Sequence, residues 1–452
     1  MTDVARLVWI AWPAVVLLMF AALPARRAAA AAVVFGWLFL PCSTEVVPGF
    51  RWAKFHAVAL SPLIASLAYD TARWGRFRPR WFDLPPVLWA VVGFFSSLDN
   101  DLGEYDAVSQ MVSEAVTYVA PWLLGRLYFS DPAGLRELTL AIVHGGLVYV
   151  PLCLWELRFS PQLHAKVYGY MQHDFNQTIR FGGYRPMVFL SHGLMLGLFM
   201  TASAVVAGWM WWTRVPGGRF LAAIGGMRTA AAVLGLTAVL CKSSGALAVG
   251  LIAGALLLAT ARRMYGLAAV GFVVAALASP LYVGGRVTGD VSGRLFVDLV
   301  AENFDQDRAD SLKFRLDNEE PLLEKAWQRP ALGWGGWGRS LVEDENGRVS
   351  SVNDALWIIS FGNRGLLGLA LQQALLTLPI LLAVAACPPR TWLHPSLAPV
   401  GALSAAMAMF TLDCIPNAMV SAIFLAVGGA LAGIDRQAIR AALRAEAAPP
   451  SS

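Results

Sequence analysis

Apolar residues fall along this chain in blocks of helix-spanning length, separated by mostly short polar joints. The blocks run roughly 7 to 24, 28 to 43, 54 to 69, 84 to 99, 110 to 129, 137 to 156, 187 to 212, 220 to 241, 245 to 261, 264 to 283, 364 to 386, 395 to 413 and 416 to 434. At about 1.5 Å rise per residue most of them reach across a hydrocarbon core of about 30 Å, although the second, third and fourth are short. The pattern predicts an all-α polytopic membrane protein with 12 or 13 transmembrane helices.

The joints set the orientation. Arg26 and Arg27, then Arg73, Arg76, Arg78 and Arg80, then Arg126 and Arg136, Arg214 and Arg219, Arg262 and Arg263, Arg390, and finally Arg436, Arg440 and Arg444 make every second loop basic. By the positive-inside rule these loops are cytoplasmic, and the acidic stretch SLDNDLGEYD falls on the other side. With thirteen spans the C-terminus is inside and the N-terminus outside.

Composition narrows the class. Hydrophobic residues make up 57% of 452 and charged residues only 14%, far from the balance of a soluble domain. The net charge of +5 sits in interhelical clusters instead of one basic face, which argues against nucleic acid. Five widely spaced cysteines read as free thiols, not as a disulfide framework or a metal cluster. The first apolar run has no basic region before it and no small-residue cleavage site after it, so it is expected to remain as a helix.

Two joints are long, and both fall on the non-cytoplasmic side. They divide the chain into N-terminal helices (1–157), an Arg-bearing loop and central helices (158–283), a large outward loop (284–363), C-terminal helices (364–434) and a tail (435–452). Loops of this length inside a compact fold are usually functional or disordered, and the tryptophans of the second argue for order. Against the positive-inside rule these loops carry Arg158, Arg180 and Arg185, and then Arg286, Arg294, Arg308, Arg315, Arg329, Arg339 and Arg348. A guanidinium fork binds phosphate bidentately, so arginines at the membrane boundary suit a diphosphate headgroup. The plainer reading pairs them with acids such as Asp305, Asp307, Asp310, Glu319 and Glu320 as a solvated surface. Few acids lie near Arg180 and Arg185, in RFGGYRPMVFLSHG.

The segment from Arg315 to Leu369 resembles the outward loop of the O-antigen ligase and O-antigen polymerase superfamily. That family places an arginine before a short helix, then a Pro-Leu-Leu-Gly-x-Gly turn, then a His-Asn pair leading into a Gly-Leu-Leu-Gly helix. Here the order is Arg315, PALGWGGWG and SVNDALWIISFGNRGLLGL. RFGGYRP is similar to the family's Arg-x-x-Gly segment, and KSSGALA resembles its Ser-Arg-Gly-Ala helix start. The likeness covers roughly residues 150 to 385, and it rests on the joint order of common glycine-rich strings. It implies a glycosyltransferase of the bacterial inner membrane with its active face periplasmic and no cofactor or metal. Its donor would be a polyprenyl-diphosphate-linked oligosaccharide and its acceptor a glycan or lipid-core hydroxyl, as in O-antigen or exopolysaccharide assembly.

By the same resemblance Arg180 and Arg315 match the diphosphate-binding arginines, with Arg185 and Lys242 as further donors. The family's loop histidine falls at or next to Asp354, which makes that carboxylate the candidate general base; its other reading, not exclusive of the first, is to cap the helix beginning ALWIIS. Glu156 is a second candidate base or the partner of Arg158. His192, in an apolar run, is a functional or a packing residue. Trp334 and Trp337 either stack on sugar rings or anchor at the interface. Asp413 either lines the same vestibule or caps a broken helix before Pro416. The rival readings are a transporter or flippase, against which stands the lack of an internal repeat, and a non-catalytic glycan-binding homologue.

Overall fold

The computed structural model describes residues 2–42, 44–47, 50–292, 306–336 and 338–447. Its helices are α1 (Asp3–Ala22), α2 (Ala25–Phe39), α3 (Lys54–Tyr69), α4 (Thr71–Arg76), α5 (Leu84–Asp99), α6 (Gly103–Glu114), α7 (Ala120–Tyr128), α8 (Pro132–Phe159), α9 (Leu163–Tyr168), α10 (Gly193–Trp212), α11 (Gly218–Ala223), α12 (Gly226–Leu240), α13 (Ser244–Ala261) and α14 (Tyr265–Thr288). After the long loop come α15 (Gln306–Trp327), α16 (Leu356–Ala386), α17 (Ala398–Asp413), α18 (Ala422–Ala432) and α19 (Arg436–Ala447). The fold is all-α except for two small antiparallel hairpins, β1 (Thr44–Val47) with β2 (Phe50–Ala53), and β3 (Ile179–Arg180) with β4 (Gly183–Tyr184).

Among the described residues seven helices are long and apolar enough to cross a membrane: Asp3–Ala22, Trp81–Asp99, Pro132–Phe159, Gly193–Trp212, Ser244–Ala261, Tyr265–Thr288 and Leu356–Ala386. The other predicted spans are shorter helices, and their burial explains why. α17 is buried along nearly its whole length and α18 throughout, so protein surrounds them where lipid would demand about 20 apolar residues. By contrast α1, α13 and α14 leave Leu7, Ile10, Leu251 and Val270 exposed, the side chains that hydrocarbon would cover.

Two predicted blocks begin later than their apolarity suggested. The 187–212 block is helical only from Gly193, and the 416–434 block only from Ala422. In both, an irregular segment precedes the helix; side chains satisfy backbone groups of the first, and backbone partners serve Asn417 in the second.

The loops sort onto two ends of the bundle. At one end Arg26 pairs with Asp131, Arg27 with Glu137 at 3.2 Å and Arg126 with Asp83 at 2.8 Å, while Asp435 N donates to Ser130 O. The basic loops therefore meet one another. At the other end Arg329 pairs with Asp99, Arg315 with Asp354, and Leu356 N donates to Asn417 O. Both long loops belong to this second end.

Candidate functional site

The second end is assembled around Glu156, in the last turn of α8. Its Oε1 accepts from Leu163 N (3.0 Å) and its Oε2 from Met187 N and Val188 N (2.8 Å each). One buried carboxylate thus holds three backbone donors. Val188 has φ +53, a left-handed conformation costly for a β-branched residue, and it lets two successive N–H groups converge on one oxygen. The expected Glu156–Arg158 pair does not form: the Arg158 guanidinium lies over the Phe159 ring, and Glu156 is filled by backbone donors. Those three bonds stabilise the carboxylate as an acceptor of backbone donors and compete with its use as a base.

Neighbouring side chains fix the rest of the 187–190 segment. Gln172 Nε2 donates to Val188 O and Leu190 O, and the buried Lys54 reaches Phe189 O at 2.8 Å. His164 Nε2 accepts from Cys42 N, and its Nδ1 lies 2.9 Å from Tyr170 O. Burial pushes this imidazole down to about 4, so it is neutral at pH 7.

RFGGY folds as the β3–β4 hairpin. Phe181 and Gly182 both have positive φ, which is what a two-residue type I′ turn requires. Lys242, itself at φ +54 between α12 and α13, donates from Nζ to Arg180 O at 3.1 Å. A Cβ on Gly183 would stand 2.5 Å from that amine, so the glycine makes room for it. Lys242 is therefore tied to the hairpin.

Arg185 is the buried member of the cluster, 7% exposed. Its aliphatic stem occupies the place where a Cβ on Gly193 would lie, which sets it against the first residue of α10. Its Nη2 donates to Lys242 O at 3.4 Å, and its Nε is buried with no partner. Burial, with Arg180 and Arg315 close by, lowers it to about 10. Three buried arginines occur among the described residues, and the other two have a carboxylate: Arg286 pairs with Glu319 at 3.1 Å, and Arg364 with Glu114. Arg185 has none. The N-terminal end of α10 adds its own positive potential at the same place.

His192 is not inside a helix as the apolar run suggested; it is the N-cap of α10, and its Nδ1 accepts from Leu194 N at 2.9 Å. Its ring lies 4.5 Å from that of His173. Burial, then His173, then Arg185, Arg315 and Arg180 push it down to about 4.

Arg315, on α15, enters the same field. Its Nε lies 3.4 Å from Asp354 Oδ2 and its Nη1 donates to Asn417 Oδ1 at 3.3 Å. Asn417 Nδ2 in turn donates to Asp413 Oδ1, while the buried Asp413 Oδ2 has no partner. Asp413 thus lines this site. Asp354 does not cap α16: the N-cap is Ala355, with no side-chain bond.

PALGWGG, residues 330–336, docks against an interruption in α16. Gly365 has φ 62 and ψ −165, and there Trp334 N donates to Gly362 O, Gly335 N to Asn363 O and Leu366 N to Pro330 O. A Cβ on Gly365 would meet Ala331 O at 2.3 Å. Trp334 is occupied: its indole N–H bonds Lys325 O, and Arg329 lies 4.9 Å over its ring. Trp337, Arg294 and Asp305 lie outside the described residues, as do the side chains of Asp307, Arg308 and Asp310.

The sequence reading missed Asn417, His173 and the Arg364–Glu114 pair, beside which Arg364 also stacks 4.2 Å over Trp89. A cavity of about 780 Å³ lies at the opposite end against Met210, Trp212, Arg214 and Leu393. It is mainly apolar and far from this chemistry. No protein-family model matches the chain, and no curated protein matches it in sequence.

Proposed function

We propose that this chain is a membrane glycosyltransferase that moves glycan from a polyprenyl-diphosphate carrier onto a sugar hydroxyl. The observation that carries this reading is Arg185, a buried guanidinium without a carboxylate, beside Arg180 and Arg315. Such charge is costly to bury unless an anion completes it. A diphosphate at the end of a lipid suits a cluster at the rim of a helical bundle, and as leaving group it gains charge when the glycosidic bond breaks. Cations placed there stabilise that change more in a partly dehydrated site than in water. Lys242, held by Arg180 O, is a further donor.

In this reading the chain spans the bacterial inner membrane with all thirteen apolar blocks, the shorter helices being completed by irregular buried segments. The arginine cluster faces the periplasm, where the lipid-linked donor is consumed. The resemblance to the O-antigen ligase and polymerase superfamily supports the same chemistry, and glycan polymerisation in O-antigen or exopolysaccharide assembly is the form we favour.

The test is the glycan and carrier profile of the native host with this chain deleted, complemented by wild type or Arg185→Ala. Accumulation of single-repeat polyprenyl-diphosphate glycan, converted to polymer by wild type alone, is the expected result. Unchanged glycans would refute it. One observation favours a transporter instead: the break in α16 at Gly365 adjoins the buried Arg364–Glu114 pair, and broken helices with buried charge are transporter features. For a transporter, purified protein in vesicles would move the lipid-linked glycan without lengthening it.

A further inference from the structure

Two imidazoles stand beside the arginine cluster with no role in diphosphate binding. Both His173 Nε2 and His192 Nε2 face Oε1 of Gln177, at 2.9 and 3.3 Å. Proton counting fixes all three groups. His192 Nδ1 accepts from Leu194 N, so it carries the lone pair, and the neutral ring must bear its hydrogen on Nε2. The Gln177 atom facing it is therefore the carbonyl oxygen and not the amide nitrogen, a choice that geometry alone leaves open. That same oxygen faces His173 Nε2, which must likewise carry a hydrogen. His173 Nδ1 is left as a basic nitrogen with no partner among the described residues.

We infer that His173 is the general base for the acceptor hydroxyl, held in its reactive tautomer by Gln177. The assignment rests on the glycosyl-transfer reading above. The acceptor O–H gives its proton to His173 Nδ1 as the oxygen forms a bond to the anomeric carbon. The bond from that carbon to the diphosphate oxygen breaks, its electron pair leaves with the diphosphate, and the ring later returns its proton to water.

Two carboxylates and one imidazole are already engaged, and the Asp413 oxygen that has no partner is fully buried. Asp354, the sequence candidate, faces Arg315 Nε, and Glu156 holds three backbone donors. His192 has spent its lone pair on the α10 cap. The charged and titratable groups around His173 are His192 across the ring contact, Asp174 next in the chain, and Arg180, Arg185 and Arg315, which act electrostatically on His192. Asp354 enters through Arg315. A base that is neutral before reaction leaves the positive charge of the arginines to the diphosphate, whereas a carboxylate would offset it.

The experiment uses the full chain in proteoliposomes, with a radiolabelled undecaprenyl-diphosphate oligosaccharide and a glycan acceptor. His173→Gln should lower kcat by about 10²- to 10⁴-fold, with donor affinity held within about twofold and the acid limb of the kcat–pH profile lost. Added imidazole should restore part of the turnover of His173→Ala. Gln177→Met, which keeps both rings but frees the tautomer, should lower kcat by about tenfold while leaving donor affinity unchanged. Asp354→Asn should keep the acid limb whatever it does to donor binding. Wild-type kcat in His173→Gln, equal losses of kcat and donor affinity without imidazole rescue, or an acid limb abolished by Asp354→Asn would each overturn the base while leaving the transferase standing. Wild type that binds donor but transfers nothing would remove both.

Discussion

Gly365→Ala is the sharpest test of how the large loop is fastened to the helices. At φ 62 and ψ −165 the backbone is in a region that essentially only glycine enters, at a cost of about 1–3 kcal/mol for any other residue. The new methyl would also stand 2.3 Å from Ala331 O, 2.4 Å from Ala331 C and 2.5 Å from Pro330 O, backbone atoms that cannot rotate aside. Relief requires the 330–336 loop to lift, which breaks the bonds from Trp334 N, Gly335 N and Leu366 N, each worth about 1 kcal/mol net. The sum is about 4–6 kcal/mol. Over 452 residues, with about 2.1 cal/mol/K of unfolding entropy each, that is a fall in Tm of roughly 5 °C. Gly254→Ala is the control: it sits within α13 with nothing inside 4 Å, so it should be neutral or slightly stabilising. Tm in detergent and limited proteolysis of the 330–336 loop are the readouts. A Gly365→Ala protein that melts with the control and keeps the loop protected would refute the docking argument.

Other perturbations separate structural from functional charge. Arg185→Lys should lower donor affinity nearly as far as Arg185→Ala, by about 10²-fold on the scale of a lost transition-state donor, because an ammonium lacks the fork; donor binding in detergent checks it. Glu156→Gln should cost about 2–3 kcal/mol, since one end of the amide would face a backbone N–H with another donor; Tm and proteolysis of 160–190 report it. Arg364→Leu or Glu114→Leu alone should destabilise by about 3–5 kcal/mol, whereas the double change should recover most of that loss, as a double-mutant cycle in Tm would show. His164 and His192 titrate lower in the folded chain, at about 4, than unfolded, at about 6.5. The unfolded state then binds more protons between those values, so stability should fall as pH drops from about 6.5 to 4. A pH–Tm curve for His164→Gln flatter than that of wild type is the expected result.

Helix positions were legible because apolar blocks in this chain are long and charges punctuate them. What periodicity could not reveal was where an apolar block is coil. Residues 187–192 and 416–421 lie within the apolar blocks, yet Glu156 satisfies the backbone of the first, and in the second Asn417 O takes Leu356 N. Burial by protein replaces the helical bonds that lipid would have enforced. Arg364 and Glu114 escaped notice for the opposite reason: their partnership spans 250 positions, and each looks like an isolated charge beside an apolar run. Trp334 carried no local sign that Lys325 and Arg329 would occupy it.

The number of arginines in the two long loops was the wrong quantity to read. Arg286 stands opposite Glu319, one of the acids the plainer reading named, while Arg315 and Arg329 stand opposite Asp354 and Asp99, and such pairs are common where chains fold against themselves. What distinguishes Arg185 is burial without a counter-charge, and the sequence bears a trace of the cause. It lies in a stretch poor in acids and eight residues before Gly193, the glycine that admits its stem beneath the end of α10. An arginine so placed gains nothing for the empty protein from its own charge. Replacing it with leucine should therefore leave Tm equal or higher while abolishing donor binding, the reverse of Arg286→Leu, which strands Glu319. If both replacements lower Tm alike, Arg185 is a structural cation and the diphosphate assignment falls with it.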